Sequence, residues 1–326
     1  AYVVPGGRVG EIYYWDSYFT MQGLVTSGRT DLIENMVHNF SHLIDTLGFI
    51  PNGNRTYFTT RSQPPFFAPM VQLLGEARGN MAETLVQYLP QMEKEYAFWM
   101  KGLEEIGPNR TAVAHVVQLA TDAHLNRYWD RGDYPREEMY RADVEIWEAS
   151  NRQPEAFYRD IRSACESGWD FSSRWLADGQ NLTEIITTDI IPVELNALLY
   201  GMELILAAAN EASTQVERAA LFRQKAEQRK ALVNHYCWDE NLGFYRDYNF
   251  KKGEFTPVIS LAGAFPLYFK MADEQQAQAT ATVLQKEFLR PGGLVSTLNH
   301  TGQQWDAPNG WAPLQLIAID GLRHYG

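Results

Sequence analysis

Cysteine is nearly absent from the sequence: Cys165 and Cys237 are the only two in 326 residues. Two thiols exclude a disulfide scaffold and a thiolate zinc site. They do not say whether the pair is bridged. No run of about 18 apolar residues occurs, so no membrane span is expected. The opening residues, AYVVPGGR, lack the basic and long apolar regions of a signal peptide. Positive charge is scarce. Twenty-eight Lys and Arg face forty Asp and Glu, a formal net charge of -12, with a pI near 5.1. Such an acidic surface argues against nucleic acid and anionic membranes as partners, and tolerates a neutral ligand such as a sugar. Low-complexity segments are missing too, and so is the strand-helix alternation of a parallel sheet.

What is present is helix after helix. From Asp31 to Gly48 the apolar residues Leu32, Ile33, Met36, Val37, Phe40, Leu43, Ile44 and Leu47 follow a 3.6-residue period. Thr30 is placed to cap this helix and Gly48 to stop it. Further helices are expected at Pro65–Glu76, Ala82–Leu89, Pro90–Leu103, Arg136–Glu148, Pro154–Glu166, Pro192–Asn210, Gln215–Tyr236, Ser260–Met271, Glu274–Leu289 and Trp311–His324. The pair Leu89–Pro90 reads as a break and restart. Short strands are expected at Ala114–Leu119 and Gly243–Asp247. The fold class is all-α.

Aromatics are abundant, at 13% of residues, and five of the nine tryptophans precede an aspartate: Trp15–Asp16, Trp129–Asp130, Trp169–Asp170, Trp238–Asp239 and Trp305–Asp306. The separations are unequal, which rejects a propeller repeat. A sugar stacks its C–H face on an aromatic ring while carboxylates, amides and guanidinium groups hold its hydroxyls. Glycoside hydrolysis needs two working carboxyls, and an apolar wall can keep one of them protonated. Trp238–Asp239 closes a helix and reads as a turn device. Arg8, Asn52, Arg61, Gln63, Arg136 and Glu138 lie near the pairs in sequence. Composition alone leaves open whether these arginines serve a phosphate, a carboxylate or a polyhydroxyl ligand. His38 and His42 have the spacing of helical metal ligands but fall on a solvated face. No Ser or Cys has the context of an activated nucleophile.

The stretch PGGRVGEIYYWDSY (5–18) closely resembles the first signature of the trehalases, and QWDAPNGWAP (304–313) resembles the second. The likeness continues through IPNGNR, RSQPPFF, RYWD, SGWDFSSRW and LRPGGL, nearest to the bacterial periplasmic enzymes. The resemblance implies an inverting α,α-trehalase built as an (α/α)6 toroid of paired helices. Residues 1–326 would form a single catalytic domain, monomeric and periplasmic, with no metal and no cofactor. It implies Asp170 as general acid, and Arg8, Trp15, Asp16, Asn52, Arg61, Arg136, Glu138, Gly168, Trp305 and Asp306 as substrate-binding residues. Arg61 and Arg136 would then meet hydroxyls or a catalytic carboxylate, not a phosphate.

Two departures from the family pattern stand out. Val9 replaces the usual aromatic after PGGR. The family's general base is a glutamate in a glycine-rich segment well past the second signature. The base is therefore expected beyond Gly326, the toroid is expected to be incomplete at its C-terminal end, and the 326 residues alone are expected to turn over little substrate. A hydrolase of another α-glucoside on the same toroid, and a sugar-binding protein without turnover, remain as alternatives.

Overall fold

The computed structural model describes residues 1–7 and 9–326; the expected contribution of Arg8 lies outside the described residues. Eleven α-helices occur among the described residues: α1 Tyr14–Thr26, α2 Thr30–Leu47, α3 Phe67–Arg78, α4 Met81–Trp99, α5 Tyr140–Glu148, α6 Pro154–Glu166, α7 Val193–Ala212, α8 Val216–Tyr236, α9 Phe265–Tyr268, α10 Glu274–Val283 and α11 Ala312–Arg323. The expected all-helical class stands, with only small sheets added. The largest of these are three-stranded, one of them the meander β1 Ala112–Val113, β2 Val116–Ala120 and β3 Ala123–Asn126.

Very short connections join α1 to α2, α3 to α4 and α7 to α8. Links of this length force antiparallel neighbours, and each pair packs together. Sequence decides which member goes inside. The run VELNALLYGMELILAAANEA makes α7 apolar on nearly every side, and sixteen of its residues are buried. In α8 only Ala219, Phe222, Ala226, Arg229 and Val233 are buried, one stripe at a spacing of three and four. A helix apolar all round belongs in the interior, and one with a single stripe covers it. The same contrast separates α3, buried from Phe67 through Met70 and beyond, from α2, which buries Ile33, Met36, Val37, Phe40, Ser41 and Ile44. The result is a layered array of helix pairs.

Three expectations are corrected. α1 arises where no helix was expected. Helix α4 runs unbroken through Pro90. Pro90 is exposed, so the Val86 carbonyl that loses its partner there can turn to water. The stretch 260–271 holds only a 3-10 turn, Leu261–Ala264, and the short α9. As expected, α2 stops at Gly48, whose left-handed φ of 84° lets its N–H reach the Ile44 carbonyl.

The loops after α2, β3 and α6 and the loop before α11 converge. The Asn52 amide donates to the Cys165 carbonyl, Ser62 N–H to Glu166, and Trp305 N–H to the Phe171 carbonyl. The start of α1 joins them, because Tyr14 N–H donates to the Asn52 carbonyl.

Candidate active site

Asp170 sits in this convergence, in the turn between α6 and α7, and keeps a partly exposed side chain among buried neighbours. Gly168 makes the approach possible. Its φ is 76°, and a Cβ there would lie 2.7 Å from Trp15 Nε1, so only glycine fits against that ring. Burial pushes the Asp170 carboxyl above its ordinary range; Arg136 and Arg61 pull it back, and Glu138 adds to the rise. A carboxyl held toward its protonated form is suited to donate a proton.

Asp16, in the first turn of α1, lies within electrostatic reach of Asp170. Its pKa is raised to about 6, mainly by burial and to a lesser degree by the neighbouring Asp170 charge. Tyr13 faces both carboxyls. Its phenol is pushed up to about 12, mainly by burial, and its ring packs at a tilt against Phe58, with centroids 5.8 Å apart. Sequence reasoning passed over Tyr13, although it directly precedes the apolar Tyr14–Trp15 pair that opens α1.

The two arginines are already matched with acids. Arg61, 1% exposed, places Nη2 on Glu138 at 2.7 Å and Nη1 on Asp130 at 3.5 Å. Arg136 grips Asp143 with Nη2 at 2.6 Å and Nε at 3.0 Å, and Nη1 donates to Cys165 Sγ at 3.2 Å. Burial pushes the Cys165 thiol up to about 12, so it stays neutral between the guanidinium groups. Two polar atoms of this cluster, Arg61 Nε and Glu138 Oε2, are buried without a hydrogen-bond partner among the described residues. Buried groups of that kind ordinarily have one. Asp143 and Cys165 carried no signal in the sequence.

Asn52 spends both amide hydrogens on the Ser62 and Cys165 carbonyls at 3.1 Å, leaving its side-chain oxygen. Trp15 and Trp305 are 3% and 6% exposed. Trp305 stacks on Trp169 at 5.1 Å and on Trp311 at 4.3 Å, and Trp15 leans on it at 5.8 Å. These rings form a wall behind the carboxyls. Asp306, expected to hold a glucose hydroxyl, is 0% exposed with both oxygens taken by protein donors. Asp130 is likewise buried, against Arg162 and Gly132 N–H. Asp239 caps its own turn by accepting from Asn241 and Leu242 N–H, as expected of that pair.

A recess of about 800 Å³ beside Tyr18, Glu76, Phe269 and Asp320 contains none of the candidate residues. Among the described residues no cluster of three or more His, Cys, Asp or Glu side chains is arranged to hold a metal ion. No helix is long and apolar enough to cross a membrane. Cys165 and Cys237 are both buried and unbridged.

The family model described as trehalase matches residues 1–326. A periplasmic trehalase of Xanthomonas axonopodis pv. citri (strain 306) is 50% identical over all 326 residues, which make up 56% of that protein. The chain thus spans little more than half the length of its relative. Among solved structures, the neutral trehalase Nth1 of Saccharomyces cerevisiae superposes with a TM-score of 0.83 at 26% identity, covering all of this chain and 63% of that one. A GH63 mannosylglycerate hydrolase from Thermus thermophilus, in complex with glucose, gives a TM-score of 0.64 at 15% identity over 99% of this chain and 84% of that one. The second likeness concerns the fold alone.

Proposed function

Since the chain belongs to the trehalase family, we propose that it carries the acid side of a site that hydrolyses α,α-trehalose to two glucose molecules with inversion. Asp170 donates its proton to the bridging oxygen as the bond from that oxygen to the anomeric carbon breaks. Water attacks the same carbon from the opposite face. The attacked glucose leaves as the β anomer, and the departing one keeps its α configuration.

The single observation that carries this reading is the raised carboxyl of Asp170 beside guanidinium groups already matched with acids. A cluster neutralised in this way has little charge left for a phosphate, whereas Arg61 Nε and Glu138 Oε2, which have no partner among the described residues, suit hydroxyl groups. Asp16 and the side-chain oxygen of Asn52 complete the set of hydroxyl partners, with Arg136 orienting Asp170. Trp15 and Trp305 supply the apolar backing. The proposal does not extend to the water-activating base, and Asp306 is not free to be one. The protein would act in the periplasm, as the name of the Xanthomonas relative indicates for that protein, and would take its small substrate as a monomer.

Asp170→Asn in the intact protein tests the assignment. Trehalose binding by calorimetry should persist, while glucose release falls about 10²–10⁴-fold, the usual weight of a general acid. Near-normal turnover by this variant would remove Asp170 from that role.

A further inference from the structure

We propose that Asp306 is a positioning residue, which fixes the pose of Asp170 by clamping the two serines that follow it and does not itself touch the sugar. The proposal rests on Asp170 being the acid, as argued above.

Asp306 Oδ1 accepts from Ser172 Oγ at 3.0 Å, Ser173 Oγ at 2.8 Å and Thr297 Oγ1 at 2.8 Å. Oδ2 accepts from Ser173 N–H at 2.9 Å and from the Thr301 hydroxyl. A carboxylate offers about four acceptor sites, so these donors saturate it, and its 0% exposure leaves no path to a ligand. One residue earlier, Trp305 N–H donates to the Phe171 carbonyl at 3.0 Å. The second signature therefore grips three successive residues, Phe171, Ser172 and Ser173, directly after Asp170.

The next residue is anchored from the other side. Arg174, 0% exposed, lies between the rings of Trp169 and Trp175 at 4.7 and 4.3 Å. It bridges Asp247, at 2.6 Å, and Glu194, at 2.9 Å. Asp170 is thus the partly exposed start of a segment otherwise pinned within the protein. A proton donor must lie within hydrogen-bond reach of the bridging oxygen, and an error of 1 Å can cost about 10²-fold in rate. The clamp supplies that precision.

The test uses Asp306→Asn and Thr297→Val in the intact protein. Asparagine keeps the shape but turns an N–H₂ group toward donors. Valine deletes one hydroxyl at nearly constant volume, so it serves if Asp306→Asn fails to fold. Asp306→Asn should lower kcat about 10²-fold with little change in KM, and Thr297→Val should do the same to a smaller degree. The groups facing Asp170 are Tyr13, Asp16, Arg61, Arg136, Glu138 and Cys165, and neither substitution alters them. Burial is what raises the Asp170 carboxyl. A loosened segment admits water, so the alkaline limb of kcat/KM should move to lower pH.

The same shift should appear when the Asp170 carboxyl is titrated by carbon NMR, a reading that needs no turnover. A raised KM with kcat and the limb unchanged would mean that Asp306 touches the sugar. A loss of activity that merely follows the folded fraction, with the Asp170 titration unmoved, would mean a general structural role; either result overturns the clamp. A wild-type protein that releases no glucose from trehalose would instead remove the proposed function, while the NMR titration still decides the clamp.

Discussion

Asp16 and Asp306 are both aspartates after a tryptophan, yet one faces Asp170 and the other is sealed behind five donor groups. A dipeptide does not encode that difference; the serines and threonines brought in from 172–173 and 297–301 do. Arg136 shows the same limit. Its partner Asp143 is seven residues on, across the change from a 3-10 turn at Glu137–Met139 into α5, and no periodicity marks such a pair. The fork itself has a testable consequence. Arg136→Lys keeps the charge but cannot hold Asp143 with two parallel bonds. Its kcat/KM for trehalose should fall more than about tenfold. Trehalose phosphate should remain a poorer substrate than trehalose in wild type and variant alike. Efficient turnover of the phosphate ester would contradict the hydroxyl-binding role of the arginine cluster. Glu95 makes a separate prediction. It is fully buried on α4, accepts from the Tyr14 hydroxyl at the start of α1, and has its pKa raised by burial from 4.5 to about 8. The folded protein therefore keeps a proton that the unfolded chain releases, and the resulting stability is present below about pH 4.5 and lost as pH rises toward 8. Glu95→Gln should be insensitive in that window. Its melting temperature should gain on wild type steadily from pH 5 to pH 8, an effect of up to a few kcal/mol at about 1.4 kcal/mol per unit. Parallel curves would show that Glu95 ionises in the fold without cost.

Among the elements, α4 carries the clearest misfit between local preference and fold. Proline inside a helix removes a hydrogen bond and crowds the preceding turn, so Leu89–Pro90 reads as a boundary, yet the helix continues to Trp99. Burial of Leu85, Tyr88, Met92, Tyr96 and Trp99 along one stripe outweighs the exposed defect. Pro90→Ala should therefore stabilise the protein, by about 1–3 kcal/mol, seen as a higher melting temperature; no gain would mean that the chain has already relaxed around the ring. Where stripe and stop signals agreed, the elements were legible. The apolar period and Gly48 gave α2, and Pro154 in the first turn gave α6. α1 was not legible because Tyr14, Trp15, Tyr18, Phe19 and Met21 spread apolar surface around the helix without a distinct polar face. The candidate site could be named from the sequence as a set of motif residues, but not as a set of contacts. The partners that fix Arg61, Asp306 and Arg174 include segments 69 to 134 residues away in the chain.

For the molecule as a whole, the helix pairs are a frame that brings the loops after α2, β3 and α6 and the loop before α11 to one place, and the candidate residues lie in those loops and at the start of α1. Paired acids and arginines, a tryptophan wall and an acidic exterior of net charge -12 all favour an uncharged ligand. The central claim is hydrolysis of trehalose with inversion by way of Asp170. It is tested most directly by proton NMR of the glucose released from trehalose by the intact protein, in the first moments before mutarotation mixes the anomers. Inversion at one ring yields α- and β-glucose in equal amounts, and Asp170→Asn should abolish both signals together. Release of α-glucose alone would mean retention at the attacked carbon and would contradict the mechanism.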